Sequence, residues 1–379
     1  MARPTVVQFN TSPSLGGAEV YTAFFSRALI ERGWRTRVVV DPAAAFWNDL
    51  DFGAAARVSL TSPGAAVQAD EVALVHAPLP GAAIDALSRH RVIGVAHQAI
   101  YDGSYPAYYD RADTLLAVSQ HVIDSLSRSR FARVHPTPLL GVADLARGEA
   151  TTTLSAGALF DADRRKPRDR LMAAFAKARA SFSAPRNFER RPGLTLGVVS
   201  RLAPLKQFPA LFAQLVPVLE RHPRVNVELF GAAVGYKTLA AIRRSLSPLG
   251  SRVRFWGQQR DVRAAYAAID YLLTGLPERE ALGLNALEAC LAGTPVLAVA
   301  APPFTETLVD GVTGYLYNDP RNDGAADFER VLDGIETGAL RPRMDLASPH
   351  LTAFSFASFA DRVDHALDEV LSRPRAARV

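Results

Sequence analysis

Glu280 and Glu288 close the segment Glu-Ala-Leu-Gly-Leu-Asn-Ala-Leu-Glu, eight positions apart with Gly283 between them. At about 1.5 Å of rise per helical residue their Cα atoms can lie up to roughly 12 Å apart. One carboxylate can then accept from the hydroxyls of a polyol while the other meets a ribose. A diphosphate held between them would face the helix start at Gly283 and Leu284, where backbone N–H groups lacking intrahelical partners favour anions. The same residues also suit an ordinary amphipathic helix, with Leu284, Leu287 and Leu291 turned inward and two glutamates in solvent.

A second set of residues supplies positive charge. Arg201 and Lys206 lie in Ser-Arg-Leu-Ala-Pro-Leu-Lys, directly after the apolar run 194–199. Breaking a sugar–diphosphate bond builds negative charge on the departing phosphate, and fixed cations stabilise it. A plain surface charge pair is the other reading. Gly16 and Gly17 follow the first apolar run and open a helix, so their amides can approach a phosphate or sugar without a side chain in the way. The spacing G-x-G-x-x-G is absent, which argues against a dinucleotide oxidoreductase. Glu19 fits the positive end of that helix dipole as well as it fits binding.

His97 ends the run 92–96, and in an α/β domain a histidine at the carboxyl end of a strand faces the ligand crevice. A structural histidine is the alternative; His76 ends an earlier run, and His121 belongs to a following helix. The remaining histidines show no metal-ligand spacing, and no carboxylate cluster accompanies them.

Apolar runs at 6–9, 37–40, 73–76, 92–96 and 115–118 alternate with helical patterns, which predicts a parallel sheet with helical crossovers. The pattern restarts at 194–199 and continues through 225–230, 253–255, 271–273 and 295–299. The expected fold is therefore α/β, with two doubly wound Rossmann-like domains facing a central cleft. Expected boundaries are 1–188 for the first domain, 189–350 for the second, and 351–379 for a terminal helix crossing back to the first.

Several of these segments resemble one family. Residues 280–288 resemble the E-x7-E signature of retaining GT-B glycosyltransferases of the large group-1 family, with Glu-Ala-Leu-Gly where that family usually has Glu-Gly-Phe-Gly. Residues 200–207 resemble its Gly-Arg-Leu-x-x-x-Lys-Gly, with Ser200 and Gln207 at the glycine positions. The resemblance implies that Arg201 and Lys206 bind the donor pyrophosphate, Glu280 the hydroxyls of the transferred sugar, and Glu288 the ribose. It places His97 beside that sugar, Gly16 and Gly17 in a glycine-rich first loop, and the loops at Gly231 and Gln258 around the nucleoside. It further implies same-face attack with the departing phosphate taking the acceptor's proton, and neither a metal, a cofactor nor a covalent nucleophile.

The chain has 379 residues, 49% hydrophobic and 21% charged, enough for two cores of ordinary size. Its single cysteine, Cys290, lies in an apolar stretch and excludes an intramolecular disulfide. The lack of a leader-like start or of about 18 consecutive apolar residues makes the cytoplasm the expected address. Net charge is +5, and the segment 164–191 carries ten basic residues against two acidic ones. Leu171, Phe175, Ala178 and Phe182 recur there at helical spacing, so a basic amphipathic helix over 164–186 is expected, either as a solvated face or as a dock for an anionic membrane.

The expectation is thus a metal-independent transferase that moves a sugar from a nucleotide-sugar donor to a sugar, lipid-linked or other small acceptor, in polysaccharide, glycolipid or glycoconjugate synthesis, with no nucleic-acid partner. An inactive glycosyltransferase-like partner protein, an epimerase and a sugar phosphorylase on the same architecture remain open alternatives.

Overall fold

The structure is a computed structural model that describes residues 3–13, 15–59, 66–79, 81–101, 103–131, 133–142, 153–161, 187–259 and 261–375. The basic helix expected over 164–186 lies outside these residues. The chain divides into two compact units, Met1–Asp144 with Pro349–Val379, and Leu145–Ser348.

In the first unit six strands form one parallel sheet: β1 (Val6–Asn10), β2 (Thr36–Val40), β3 (Ala56–Ser59), β4 (Val72–Val75), β5 (Arg91–Ala96) and β6 (Thr114–Ala117). Their order is β3-β2-β1-β4-β5-β6. Runs such as Val-Ala-Leu-Val in β4 are buried along their whole length, as a parallel sheet covered on both faces requires. The helix Gly17–Glu31 crosses from β1 to β2, and the terminal helix Phe356–Ser372 packs against it. Phe359 meets Tyr21 and Phe25 edge-on at 5.2 and 6.1 Å between ring centres, and the Trp34 indole donates to Asp364 at 2.7 Å.

The second unit repeats the plan. Its β8 (Leu194–Val199), β9 (Val225–Phe230), β11 (Val253–Gly257), β12 (Tyr271–Leu273), β13 (Val296–Val299) and β14 (Gly314–Tyr317) form a parallel sheet in the order β11-β9-β8-β12-β13-β14. Counted from the first strand of each sheet, both orders are 3-2-1-4-5-6, the doubly wound arrangement. A short pair, β7 (Phe160–Asp161) with β10 (Ala233–Val234), completes the strands among the described residues.

The division after Asp144 falls earlier than the expected boundary at 188, because residues 153–161 are bonded to the second unit. Gly157 N–H donates to the Trp256 carbonyl at 2.7 Å and Gln258 N–H to the Ala158 carbonyl at 2.9 Å. Of the basic segment, the described Arg190 and Arg191 are committed to ion pairs with Asp270 and Glu228. Their charge therefore serves the second unit's own structure. No described helix is long and apolar enough to cross a membrane.

Candidate active site

In a 3-2-1-4-5-6 sheet the crossovers leave the first strand in opposite directions, and the crevice opens beyond the carboxyl ends of the first and fourth strands. In the second unit these are β8 and β12. Ser200 and Arg201 leave β8; a single 3-10 turn, Pro204–Lys206, then brings Lys206 back toward β12. Gln207, where the resembling motif has glycine, adopts φ +55°, the left-handed conformation that glycine adopts most easily. The turn geometry of the motif is therefore kept by a non-glycine residue. Its side chain donates to Glu278 at 2.9 Å.

The exit of β12 is stitched to this turn. Leu276 N–H donates to the Lys206 carbonyl at 3.2 Å, and a Cβ on Gly275 would lie 2.3 Å from that oxygen. No side chain fits there. Gly275→Ala must displace the Lys206 turn, and overpacking of this kind costs about 1–3 kcal/mol. We expect a melting temperature lower by several degrees together with at least a tenfold loss of activity, read by calorimetry and by the assay below.

The turn and the β12 exit bring opposite charges together. The Lys206 ammonium pairs with Glu280 Oε2, with side-chain exposures of 18% and 12%. The Ala281 N–H donates to Glu280 Oε1 at 3.2 Å. Around them Arg321 bridges Glu278 and Asp319.

The helix Leu284–Leu291 begins at Gly283, which has φ +76°. Asn285 ties its first turn to the end of β8 by donating to the Val199 carbonyl at 3.3 Å. Glu288, one turn further on, accepts from the Tyr266 hydroxyl at 2.8 Å. Burial pushes its carboxyl pKa up; the Tyr266 hydrogen bond and the Lys206 charge oppose that shift. Lys206 thus acts on both glutamates. The amphipathic reading of this helix also holds in part, since Leu287, Ala286, Ala289 and Cys290 are buried while Leu284 is half-buried.

The other two loops expected at the nucleoside meet each other: Gly231 N–H, just after β9, donates to the carbonyl of Gly257, the last residue of β11, at 2.7 Å. Gln258 is exposed beside them. Arg201 is half-buried at the β8 exit, and its carbonyl accepts from Ala203 N–H at 2.8 Å.

In the first unit the corresponding carboxyl ends hold the remaining expected residues. Gly16 is the N-cap of the helix Gly17–Glu31 that follows β1, with Glu19 buried in its first turn. His76 follows β4 and His97 follows β5; Nδ1 of the former lies 3.2 Å from Nε2 of the latter. Burial lowers both imidazole pKa values, that of His97 to about 3. His121 sits in the helix Gln120–Arg128, capped by Ser119, away from this pair in sequence.

Residues 193–333, the span that contains Arg201, Lys206, Glu280 and Glu288, match the family model described as Glycosyl transferases group 1. That match falls entirely within the second unit. Similar sequences include D-inositol 3-phosphate glycosyltransferases of Corynebacterium diphtheriae, 29% identical over 45% of this chain and 41% of that protein, and of Actinosynnema mirum, 33% identical over 35% and 34%. These matches span less than half the length of the curated relatives. Among solved structures, Anabaena HepE in complex with UDP and glucose superposes with a TM-score of 0.69 at 17% identity over 96% of this chain and 99% of that one. The pneumococcal O-GlcNAc transferase GtfA in complex with UDP and GlcNAc gives 0.68 at 11% over 98% and 100%. The fold is that of GT-B glycosyltransferases.

Within the second unit, sequence reasoning missed Tyr266, which holds Glu288, and Gly275, which admits the Lys206 turn. Tyr266 stands in the short helix Val262–Ala267, remote in sequence from the acid it serves. Its pattern there is that of any core tyrosine. In the first unit it missed Gln8, whose signal was present: an amide in the middle of the apolar run 6–9.

Proposed function

We propose that this protein is a retaining glycosyltransferase that moves a sugar from a nucleotide-diphospho-sugar to an acceptor, without a metal. The observation that carries the proposal is the Lys206–Glu280 ion pair at the β8 and β12 exits, beside the helix start that leads to Glu288. Glu280 would accept from hydroxyls of the transferred sugar and Glu288 from the ribose. Lys206 and Arg201 would offset charge on the departing diphosphate, with the amides at Gly283 and Leu284 assisting. Gly231 and Gln258 would flank the nucleoside. At the carboxyl ends of the first unit's own sheet, His97 would meet a sugar hydroxyl and the amides at Gly16 and Gly17 a phosphate or sugar oxygen. The acceptor could then surrender its proton to the leaving phosphate, so no separate base is required.

UDP-glucose and UDP-N-acetylglucosamine are the first donors to try, because solved neighbours hold UDP with glucose or with GlcNAc. A donor that binds only the native state raises the melting temperature, and transfer or slow hydrolysis releases free nucleoside diphosphate with the sugar's anomeric configuration kept. Absence of both responses across UDP-, GDP- and ADP-sugars would refute this reading; an inverted anomeric centre would refute retention alone.

A further inference from the structure

A chain of buried hydrogen bonds in the first unit leads from the middle of β1 to the ligand side of β5, and donor counting fixes its direction. The Ser26 hydroxyl donates to the Thr22 carbonyl at 3.0 Å and the Thr36 hydroxyl to the Val6 carbonyl at 2.8 Å. Each has spent its only proton, so toward Gln8 each can only accept. The Gln8 atom 2.8 Å from Ser26 Oγ and 2.9 Å from Thr36 Oγ1 must therefore be the amide nitrogen. The amide oxygen then faces His76 Nε2 at 3.0 Å. An oxygen without a proton needs a donor, so the His76 proton sits on Nε2.

Burial keeps both imidazoles neutral at physiological pH. A neutral ring with its proton on Nε2 has a bare Nδ1, and His76 Nδ1 lies 3.2 Å from His97 Nε2. His97 must donate through Nε2, which leaves its own Nδ1 as a lone pair. Among the described residues, the aromatic side chains packed on the pair bring no competing donor. Tyr21 lies edge-on to His97 at 5.0 Å, and its hydroxyl donates to the Leu139 carbonyl at 2.7 Å; Phe25, edge-on to His76 at 5.4 Å, has no proton to give. His76 is 2% exposed, while His97 is half-buried and reaches the surface at the strand's carboxyl end.

We propose that Gln8 and His76 are positioning residues that fix His97 in its Nε2–H tautomer, so that it meets a ligand only as a hydrogen-bond acceptor at Nδ1. The chemistry so recognised is a hydroxyl or amide N–H. Anionic oxygen, which needs a donor, is disfavoured at this atom. The role of His97 toward a sugar rests on the function proposed above, but its tautomer does not.

The test uses the full chain with 15N-labelled histidine and no ligand. Long-range 1H–15N spectra, with the His97 signals assigned by their loss in His97→Asn, are expected to show protonated Nε2 and bare Nδ1 near neutral pH. Finding the proton on His97 Nδ1 overturns the proposal. In Gln8→Met, His76 loses the acceptor that holds its proton on Nε2, and the His97 Nδ1 signal is expected to move toward the protonated position; an unchanged spectrum overturns the relay. With a donor that turns over, Gln8→Met and His97→Ala should each lower activity, and the double variant should be no worse than His97→Ala alone. Losses that multiply overturn the coupling. A panel without any turnover counts against the proposed function, and the spectra of the free protein still decide the tautomer.

Discussion

Replacing Lys206 with alanine is expected to lower kcat by about 10²–10³-fold, the scale set by removing one preorganised charge-stabilising donor from a transition state. Donor affinity should change far less, within about threefold, because Lys206 is already neutralised by Glu280 in the free protein. An arriving diphosphate exchanges one anionic partner for another, so the ground state gains little. As the sugar leaves, charge on the diphosphate grows while that on Glu280 does not, and the ammonium is drawn to the growing charge. This separation of kcat from binding is what differential stabilisation predicts. Isothermal titration alongside steady-state rates measures both. Equal, near-native values would remove Lys206 from the chemistry. Glu280→Gln supplies a control: it frees the ammonium and weakens sugar contacts, so donor affinity for the diphosphate portion should hold or rise while turnover falls. Non-additivity in the Lys206→Ala, Glu280→Gln pair would reflect their direct contact.

The architecture was legible because parallel strands buried on both faces are short continuous apolar runs, and ten of them stand out between helical patterns. β3 and β14 did not. β3, Ala-Arg-Val-Ser, and β14, Gly-Tyr-Leu-Tyr, are four-residue edge strands whose composition resembles that of the turns around them. Each gains its strand character from a neighbour already in place, β2 or β13. The division after Asp144, earlier than the expected 188, has a related cause. The membership of residues 153–161 is decided by backbone bonds to the end of β11, which sequence spacing does not reveal.

The site was legible in its charges and less so in their partners. Charged residues immediately after apolar strands signal the carboxyl edge of a sheet, so Lys206 and Glu280 could be found one at a time. That the two meet depends on Gly275 admitting the Lys206 carbonyl and on Gln207 taking a left-handed turn, neither of which has a signature in the residues themselves. Gln207 also shows why a motif mismatch is weak grounds for rejecting a site. A left-handed non-glycine residue costs about 1–2 kcal/mol, and a hydrogen bond to Glu278 and the helix Phe208–Arg221 starting behind it offset that cost.

Glu288 tests whether the site trades stability for binding. Burial raises its carboxyl pKa, and the Tyr266 hydroxyl and the Lys206 charge only partly oppose this. For a group whose pKa is higher in the folded protein than in the unfolded chain, the favourable contribution exists in acid and is lost as pH rises through the folded value. Wherever it is ionised, Glu288 therefore opposes folding. Glu288→Gln keeps an acceptor for Tyr266 and cannot ionise. Its melting temperature is expected to match or exceed that of the parent near pH 7, with the advantage shrinking as the pH falls through the raised Glu288 value and into the ordinary carboxylate range. Donor affinity should move the other way, weakening by about 10- to 100-fold, the equivalent of a charge-assisted hydrogen bond worth about 1.5–3 kcal/mol. Differential scanning calorimetry across pH, paired with donor titration, reads both effects on one protein preparation. A variant that binds donor normally would show that Glu288 has no part in recognition, whatever its stability. A variant that loses stability uniformly at all pH values would mean that the ionised carboxylate supports the helix Leu284–Leu291, and the burial of charge would then have a structural use. The predicted combination, weaker binding in a protein at least as stable, is the signature of a carboxylate kept ionised against the preference of its surroundings because a ligand hydroxyl requires it.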